Sequence, residues 1–564
     1  MRRKGERYMK KFILSLICII ITSMTAVLPG CNMSKAKDYI DGIKAKDYID
    51  GIDVLISDDN YRNVYQIWVG SFCDSNDDKI GDIQGIISKL DYLNDGDPNT
   101  DTDLGVDAIW LSPIMPSPSY HKYNVTDYYN IDPEFGTLKD FDSLIKECKK
   151  RGVKVIIDLI LNHISSEHPW FKKACEEVKQ GNFEGYAKYF EIVKSVKSPG
   201  EGYREISGAE GIWYEGNFTY EMPEWNLNEA KTREEFIKIS KFWMDRGAGG
   251  FRLDAIKYFT NNNTDGIKFL KWYCDACREI NNDIYIVGEN WDDNSAIYDV
   301  YRSGIDSQFA FRFSGSADSS FAFAANVGTA ARSVFNKIKS YCDSVKTNNP
   351  NAIDAWFLEN HDIPRISNYL KDIQKAKMAA AMYMLVPGNA FIYYGQELGI
   401  TAADVKDDIS FRTPMIWDSD HLPEIHHPPG LPVTVPKRGG VKQQEEDQYS
   451  LLNFYKRIIK IKMQNPGIAR GEITETVDFD DVAVGAYYID HDDERLLIIH
   501  NTSLTEGKTL TIAEDILKDP VIRADLVASN PEKDSKDNLV LPQITLEDNI
   551  LYLPKQSSVI LKTG

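Results

Sequence analysis

Eight short apolar runs recur along the chain, separated by longer stretches of mixed polar and apolar residues. They are VYQIWVGSF (64–72), VDAIWLSPI (106–114), VKVIIDLILNH (153–163), AGGFRLDAIKY (248–258), DIYIVGENW (283–291), IDSQFAFRF (305–313), AWFLENHDIPR (355–365) and NAFIYYGQE (389–397). Each reads as a strand. The stretches between them have room for a crossover helix, as in GIKFLKWYCDACREI (266–280), so parallel pairing is the simple topology. Eight strands in βα alternation predict an α/β fold, a (β/α)8 TIM barrel.

Two regions depart from that alternation. Between His163 and Leu227 a long stretch bearing glycines and aromatics shows no clear βα unit, which predicts a small domain inserted after the third strand, at about 164–228. SLLNFYKRIIKIK (450–462) is an amphipathic helix, and beyond it come the alternating runs VAVGAYYI (482–489), RLLIIHN (495–501) and ILYLPKQSSVIL (550–561). These predict a C-terminal antiparallel β-sandwich domain over 467–564, with the barrel and its insertion at 61–466. A chain of 564 residues exceeds a lone barrel of about 250, so such additions are expected.

Asp254, Glu289 and Asp362 stand at the C-terminal ends of three of these runs. Carboxylates at strand ends converge on one point if the strands are parallel and close into a ring, and a convergent pair is what glycoside hydrolysis requires. Arg252 lies two residues before Asp254, so strand alternation puts both side chains on one face, where the guanidinium would keep the carboxylate ionised. Around them stand the ordered motifs DLILNH (158–163), MPEWNLN (222–228), GFRLDAIK (250–257), GEN (288–290) and NHD (360–362). In this order and strand context the chain resembles the α-amylase family of glycoside hydrolases, family 13, from about Val64 to the C-terminus.

The resemblance implies a retaining mechanism with Asp254 as nucleophile, Glu289 as general acid/base and Asp362 as a third acid that binds sugar hydroxyls. Such a mechanism holds nucleophile and acid about 5–5.5 Å apart and needs Glu289 protonated near neutral pH, with Trp291 as part of an apolar wall. It further implies that His163 and His361 bind the same sugar, that Tyr123 stacks on it, and that Lys257 serves the reducing-end side. Neither histidine has HExxH-like spacing, which removes a metalloprotease-type reading. Ala255 is the small residue that goes with α-1,4 linkages in the family, while Tyr258 stands where amylases often have His. Arg412 resembles an arginine that exo-acting members pair with an Asp to grip the chain end. Here Tyr123 is followed by Asn124, so that grip is expected to lack its carboxylate.

The run Asp74-Ser75-Asn76-Asp77-Asp78-Lys79-Ile80-Gly81-Asp82 follows the first strand. Oxygen donors at Asp74, Asn76, Asp78 and Asp82, with the Ile80 carbonyl between, resemble a loop for a hard cation, and the family's oligosaccharide-cleaving members bind calcium in a similar loop. The expected cofactor is therefore structural Ca2+, with a metal-free acidic turn as the alternative.

The N-terminus has a basic start (MRRKGERYMKK), the apolar run Phe12 to Ile21, and Leu28-Pro29-Gly30-Cys31. This fits an export signal over 1–30, and the Leu three places before Gly-Cys resembles a bacterial lipobox that would lipidate Cys31, although Pro29 is unusual there. A plain cleaved signal, giving a secreted protein, is the alternative. Residues 35–43 (KAKDYIDGI) repeat as 44–52, either a tether within 31–60 or a neutral duplication. Removing the signal, which carries a net charge of +5, takes the formal charge from −20 to −25. Such a surface repels nucleic acid and anionic membrane, so membrane contact is expected through the lipid alone. Cys274 and Cys277 form a CxxC inside an apparent helix with no second Cys or Cys/His pair, so ordinary core or surface cysteines are expected in place of zinc or redox chemistry. His426 and His427 lie in a proline-rich loop and read as exposed.

The expected activity is hydrolysis of internal α-1,4-glucosidic bonds of starch and maltooligosaccharides. An α-glucosidase, oligo-1,6-glucosidase or neopullulanase-like hydrolase is the alternative within the enzyme class. A non-catalytic glucan-binding barrel is the alternative outside it, and should lack part of the carboxylate set.

Overall fold

Each apolar run coincides with a short strand: β1 (Asn63–Ile67), β2 (Ala108–Leu111), β3 (Lys154–Leu159), β4 (Gly250–Leu253), β5 (Tyr285–Gly288), β6 (Ser307–Gln308), β7 (Ala355–Phe357) and β8 (Asn389–Tyr393). The computed structural model describes residues 61–259, 263–533 and 537–564. The expected signal, Cys31 and the duplicated unit lie outside the described residues. The strands pair in parallel, β8 beside β1 (Asn63↔Ala390) and β1 beside β2 (Val64↔Ala108), and so on to β6. A parallel bridge between Phe309 and Ala355 joins the β6 and β7 sides, so the sheet comes round into the expected barrel. Almost every strand residue is buried, because the barrel interior covers one face and the helices cover the other, which is why the runs read as continuously apolar. Val64, Ala108, Ile156, Val287, Phe309, Phe357 and Phe391 fill the interior, with Trp110 and Tyr285 among them.

Asp362 lies five residues beyond the end of β7 and not at the strand end itself. The chain turns first at Asn360, whose side-chain oxygen accepts the N–H groups of Asp362 (2.9 Å) and Ile363 (3.0 Å).

The inserted segment after β3 contains more order than its pattern suggests. It holds a helix, Pro169–Lys179, with proline in its first turn, where no N–H is needed, and His168 accepting the N–H of Trp170. Three short antiparallel strands follow, with Ile212–Glu215 between Ile192–Lys194 and Tyr203–Glu205. A bridge from His163 to Glu224 ties it back to the barrel top, and one from Phe190 to Trp225 closes it internally.

The C-terminal region packs a five-stranded antiparallel sheet against a three-stranded one. Val484, Ala486, Tyr488, Leu497 and Ile499 share one core with Leu510, Ile512, Leu551 and Leu553, which makes the expected sandwich. The run 550–561 is two strands, Ile550–Leu553 and Ser557–Thr563, split at Pro554, which has no N–H for a ladder. At the junction with the barrel, Phe335 stacks on Tyr487 and His500, each at 4.8 Å. Gly485 is required there, since a Cβ would sit 2.4 Å from the Phe335 ring.

Cys274 and Cys277 are both buried in the helix Asn263–Ile280 and unbridged, as an ordinary core pair. His427, in contrast, is buried and not exposed, with Nε2 3.5 Å from Glu134 and its ring against Gly70, where a Cβ would meet Nδ1 at 2.1 Å. His426 is exposed.

Candidate active site

Arg252 is the centre of the site. It points up the barrel from β4, 1% exposed, and its Nη1 lies 2.6 Å from Asp254 Oδ1 and 2.8 Å from Asp158 Oδ1, while Nη2 lies 2.9 Å from Glu289 Oε2. One guanidinium therefore faces three buried carboxylates. Burial, together with the neighbouring Glu289 and Asp158 charges, pushes Asp254 well above the usual carboxylate range against the pull of Arg252. Asp158 is raised as well, again first by burial. Arg252 pulls Asp254 down as its place on the strand implies, but burial outweighs that pull and the one cation is shared among three carboxylates.

Glu289 follows β5 directly and is held on both oxygens. Trp291 Nε1 donates to Oε1 (2.9 Å), and the Ala255 N–H donates to Oε2 (3.0 Å). Trp291 is thus a hydrogen-bond partner as well as a wall, with its ring 3.9 Å from Phe311. Ala255 adopts a left-handed conformation (φ +50°), which costs about 1–2 kcal/mol in a residue with a Cβ and aims its N–H at Glu289.

Asp362 is fixed from the other side. Despite burial, His361 and Arg412 hold its carboxyl well below the usual range. His361 Nε2 lies 2.9 Å from Asp362 Oδ2, while Gln66 Nε2 meets Nδ1 at 2.9 Å, so the imidazole carries its proton toward Asp362. Tyr123 stacks on His361 (5.6 Å, 6° between planes) and donates to Asp158 (3.1 Å), so its hydroxyl is committed to the protein network.

Arg412 has the carboxylates that its sequence context seemed to lack. Nη2 lies 3.2 Å from Asp362 and 3.1 Å from Asp408, Nε donates to the His361 carbonyl (3.2 Å), and Nη1 donates to the Tyr120 hydroxyl. Asp408 stands four residues earlier in the same short turn, Asp408–Arg412, so Arg412 is paired from within its own turn and not from the loop of Asn124. Asn124 is buried and accepts from Ser117 (2.8 Å) and Ser119.

His163 lies above β3, buried, with its Nε2 making no hydrogen bond, and burial drops its pKa to about 3. It is a neutral ring with a polar atom to offer. Phe218 of the insertion covers it at 5.0 Å and meets Tyr258 at 5.3 Å. Lys257 is exposed and donates to the Trp291 carbonyl (3.1 Å). The structure therefore places Asp254, Glu289, Arg252, Asp362, His361, Tyr123 and Arg412 in one connected network, with His163 and Lys257 beside it. Asp158, Gln66, Tyr120, Asp408 and Trp68, whose ring lies under Arg412 at 4.5 Å and beside His361, were not singled out from sequence. Asp158 alone had a signal, since it opens the DLILNH motif.

The Asp74–Asp82 loop stands apart. Asp74 accepts the N–H groups of Asn76, Asp77 and Lys79, Asp78 accepts that of Ile80, and Asp82 accepts Ser75 and caps the helix Ile83–Ser88 through Gly85. Among the described residues no cationic side chain pairs with these carboxylates. Among the described residues no three His, Cys, Asp or Glu side chains form a metal cluster by themselves, so a cation here would need the Asn76 and Ile80 oxygens too. The donor set, all oxygen and net negative, fits a hard cation in kind.

Comparison with known proteins agrees with this geometry. Residues 66–471 match the α-amylase catalytic domain. The chain is 33% identical to α-amylase 3 of Dictyoglomus thermophilum over 89% of its length and 93% of the relative's. It is 30% identical to an oligo-1,6-glucosidase of Parageobacillus thermoglucosidasius, covering 78% of this chain and 89% of that one. Among solved structures, Amy13B of Eubacterium rectale superposes with a TM-score of 0.82 at 35% identity, over 91% of this chain and 97% of the other. The barrel, the carboxylate network at its mouth and these matches together establish that the chain belongs to the α-amylase family of glycoside hydrolases, family 13.

Proposed function

We propose that this enzyme hydrolyses internal α-1,4-glucosidic bonds of starch and maltooligosaccharides with retention of configuration. The carrying observation is the Arg252 bridge, which sets Asp254 and Glu289 side by side at the ends of adjacent strands with Asp362 facing them. A glucose ring seated there meets Asp254 at its anomeric carbon and Glu289 at the leaving oxygen. Asp254 attacks to form a glycosyl ester as Glu289 gives its proton to the departing sugar. Glu289 then takes a proton from water, which attacks the ester and frees Asp254. Asp362, His361 and the free Nε2 of His163 supply the grip on the ring hydroxyls.

Internal attack is supported by the state of Arg412. It is 4% exposed and has four of its N–H contacts committed inside the protein, which leaves little to clamp a chain end. A second reading, an α-glucosidase or oligo-1,6-glucosidase, is favoured by the relatives of that name. Amylose separates the two. Internal attack makes iodine staining fall while reducing ends are few, and exo attack gives glucose as the sole early product.

Two further parts of the proposal concern placement. The Asp74–Asp82 loop binds calcium as a structural ion, supported by an all-oxygen, net negative donor set. Export with lipidation at Cys31 rests on the N-terminal pattern alone, and Cys31→Ser should release active enzyme from the membrane or leave an unprocessed precursor. Wild type found wholly in the medium with another N-terminus would contradict it.

A further inference from the structure

Away from the carboxylates, the inserted domain carries an open groove of about 600 Å3 between the helix Pro169–Lys179 and the edge strand Tyr203–Glu205. Five of its eleven lining residues are aromatic, in a chain that is 11% aromatic, so this is a concentration of rings and not a sample of the surface. Phe171 and Tyr214 make the floor, edge to face at 5.0 Å. The Tyr214 hydroxyl donates to the Tyr220 carbonyl (2.6 Å) and so fixes the lip, where the Tyr220 ring is 65% exposed. Tyr203 and Trp213 are half-buried. Two cations, Arg204 and Lys179, reach the same groove, and among the described residues neither side chain makes a hydrogen bond or ion pair.

Exposed rings interleaved with free N–H donors match one chemistry well. A pyranose offers a face of C–H groups to a ring and a rim of hydroxyls to donors, so it can use both the rings and the two cations. A peptide adding to the edge strand is disfavoured because that strand is three residues long. We infer that this groove is a second, non-catalytic binding site for a segment of α-glucan, holding the polymer on the inserted domain while another part of it occupies the carboxylate cleft. The choice of ligand rests on the proposed function.

Two measurements test it. Tyr220→Ala and Arg204→Ala, alone and combined, should raise KM for amylose about three- to tenfold, the loss of one stacked ring or one donor. The same variants should leave kcat/KM for a short aryl maltoside within about twofold. The second measurement needs no altered groove. Cys175, a half-buried free thiol, lines it, and in Glu289→Gln, where the ligand survives, maltoheptaose should slow alkylation of Cys175 while Cys342, outside the groove, reacts at an unchanged rate. Unchanged KM for amylose in the folded variants, or Cys175 unprotected at saturating maltoheptaose, would overturn the site. A wild-type enzyme inactive on every α-glucan would instead contradict the proposed function, and protection of Cys175 would still decide the groove by itself.

Discussion

Arg252, shared among three carboxylates, sets what substitutions in the cluster should do. Glu289→Gln preserves shape but removes the proton donor, and should cost starch hydrolysis about 10²–10⁴-fold. An aryl glycoside with a good leaving group needs less protonation and should partly escape. Asp254→Asn removes the nucleophile and should spare neither substrate, so equal loss on both substrates for Glu289→Gln would undermine the roles. Glu397 offers a separate test, of stability. It is fully buried between the hydroxyls of Tyr65 and Tyr92, both donating to Oε1 at 2.7 Å, and burial pushes its carboxyl from 4.5 up to about 7. A raised carboxyl favours the neutral form in the fold, so its contribution is complete below pH 4.5 and lost as pH rises through 7. The full effect corresponds to about 3 kcal/mol. Glu397→Gln should remove that loss, so the stability difference between variant and wild type should grow in the variant's favour from pH 4.5 to pH 8 in denaturant melts. A pH-independent difference would show that the carboxyl is not neutral in the fold. The catalytic carboxylates were legible because each ends an apolar run, and Arg252 because strand alternation fixes its face. Asp408 was not, because it reaches Arg412 along one short turn that no period or motif marks.

At the scale of elements, the Asp74–Asp82 loop makes the clearest demand. Its carboxylates accept loop N–H groups but have no cationic partner among the described residues, so a divalent ion would relieve their repulsion and stabilise the native state by mass action. Chelation should lower Tm more than it lowers turnover at saturating substrate, because the loop follows β1 and contributes nothing to the carboxylate network. Asp78→Ala should reproduce the loss of Tm and abolish its dependence on calcium. Metal analysis finding no calcium, with an unchanged Tm in Asp78→Ala, would leave only an acidic turn. Strand existence was readable throughout, since burial on both faces leaves a continuous apolar run. Strand length was not: β6 has two residues, and Asp362 sits past a turn built by Asn360. The helix Pro169–Lys179 escaped because its apolar residues, Phe171, Ala174 and Val178, cover a narrow stripe in a segment otherwise dominated by loops.

For the whole molecule, the order βαβ with one insertion and one appended sandwich was legible because each change of architecture changes the period of the apolar pattern. What was hidden was the convergence of side chains from distant strands, such as Gln66 of β1 on His361 and Tyr123 on Asp158. That convergence makes the proposed chemistry a property of the assembled barrel, and it can be read from the product. The most direct measurement is proton NMR of the first products released from a maltoheptaoside blocked at its non-reducing end. Retention with internal attack predicts that the blocked chain is cut and that the new reducing ends appear first as the α-anomer, drifting later toward equilibrium. A β-anomer appearing first would contradict the nucleophile assigned to Asp254, and a blocked chain left intact would contradict internal attack.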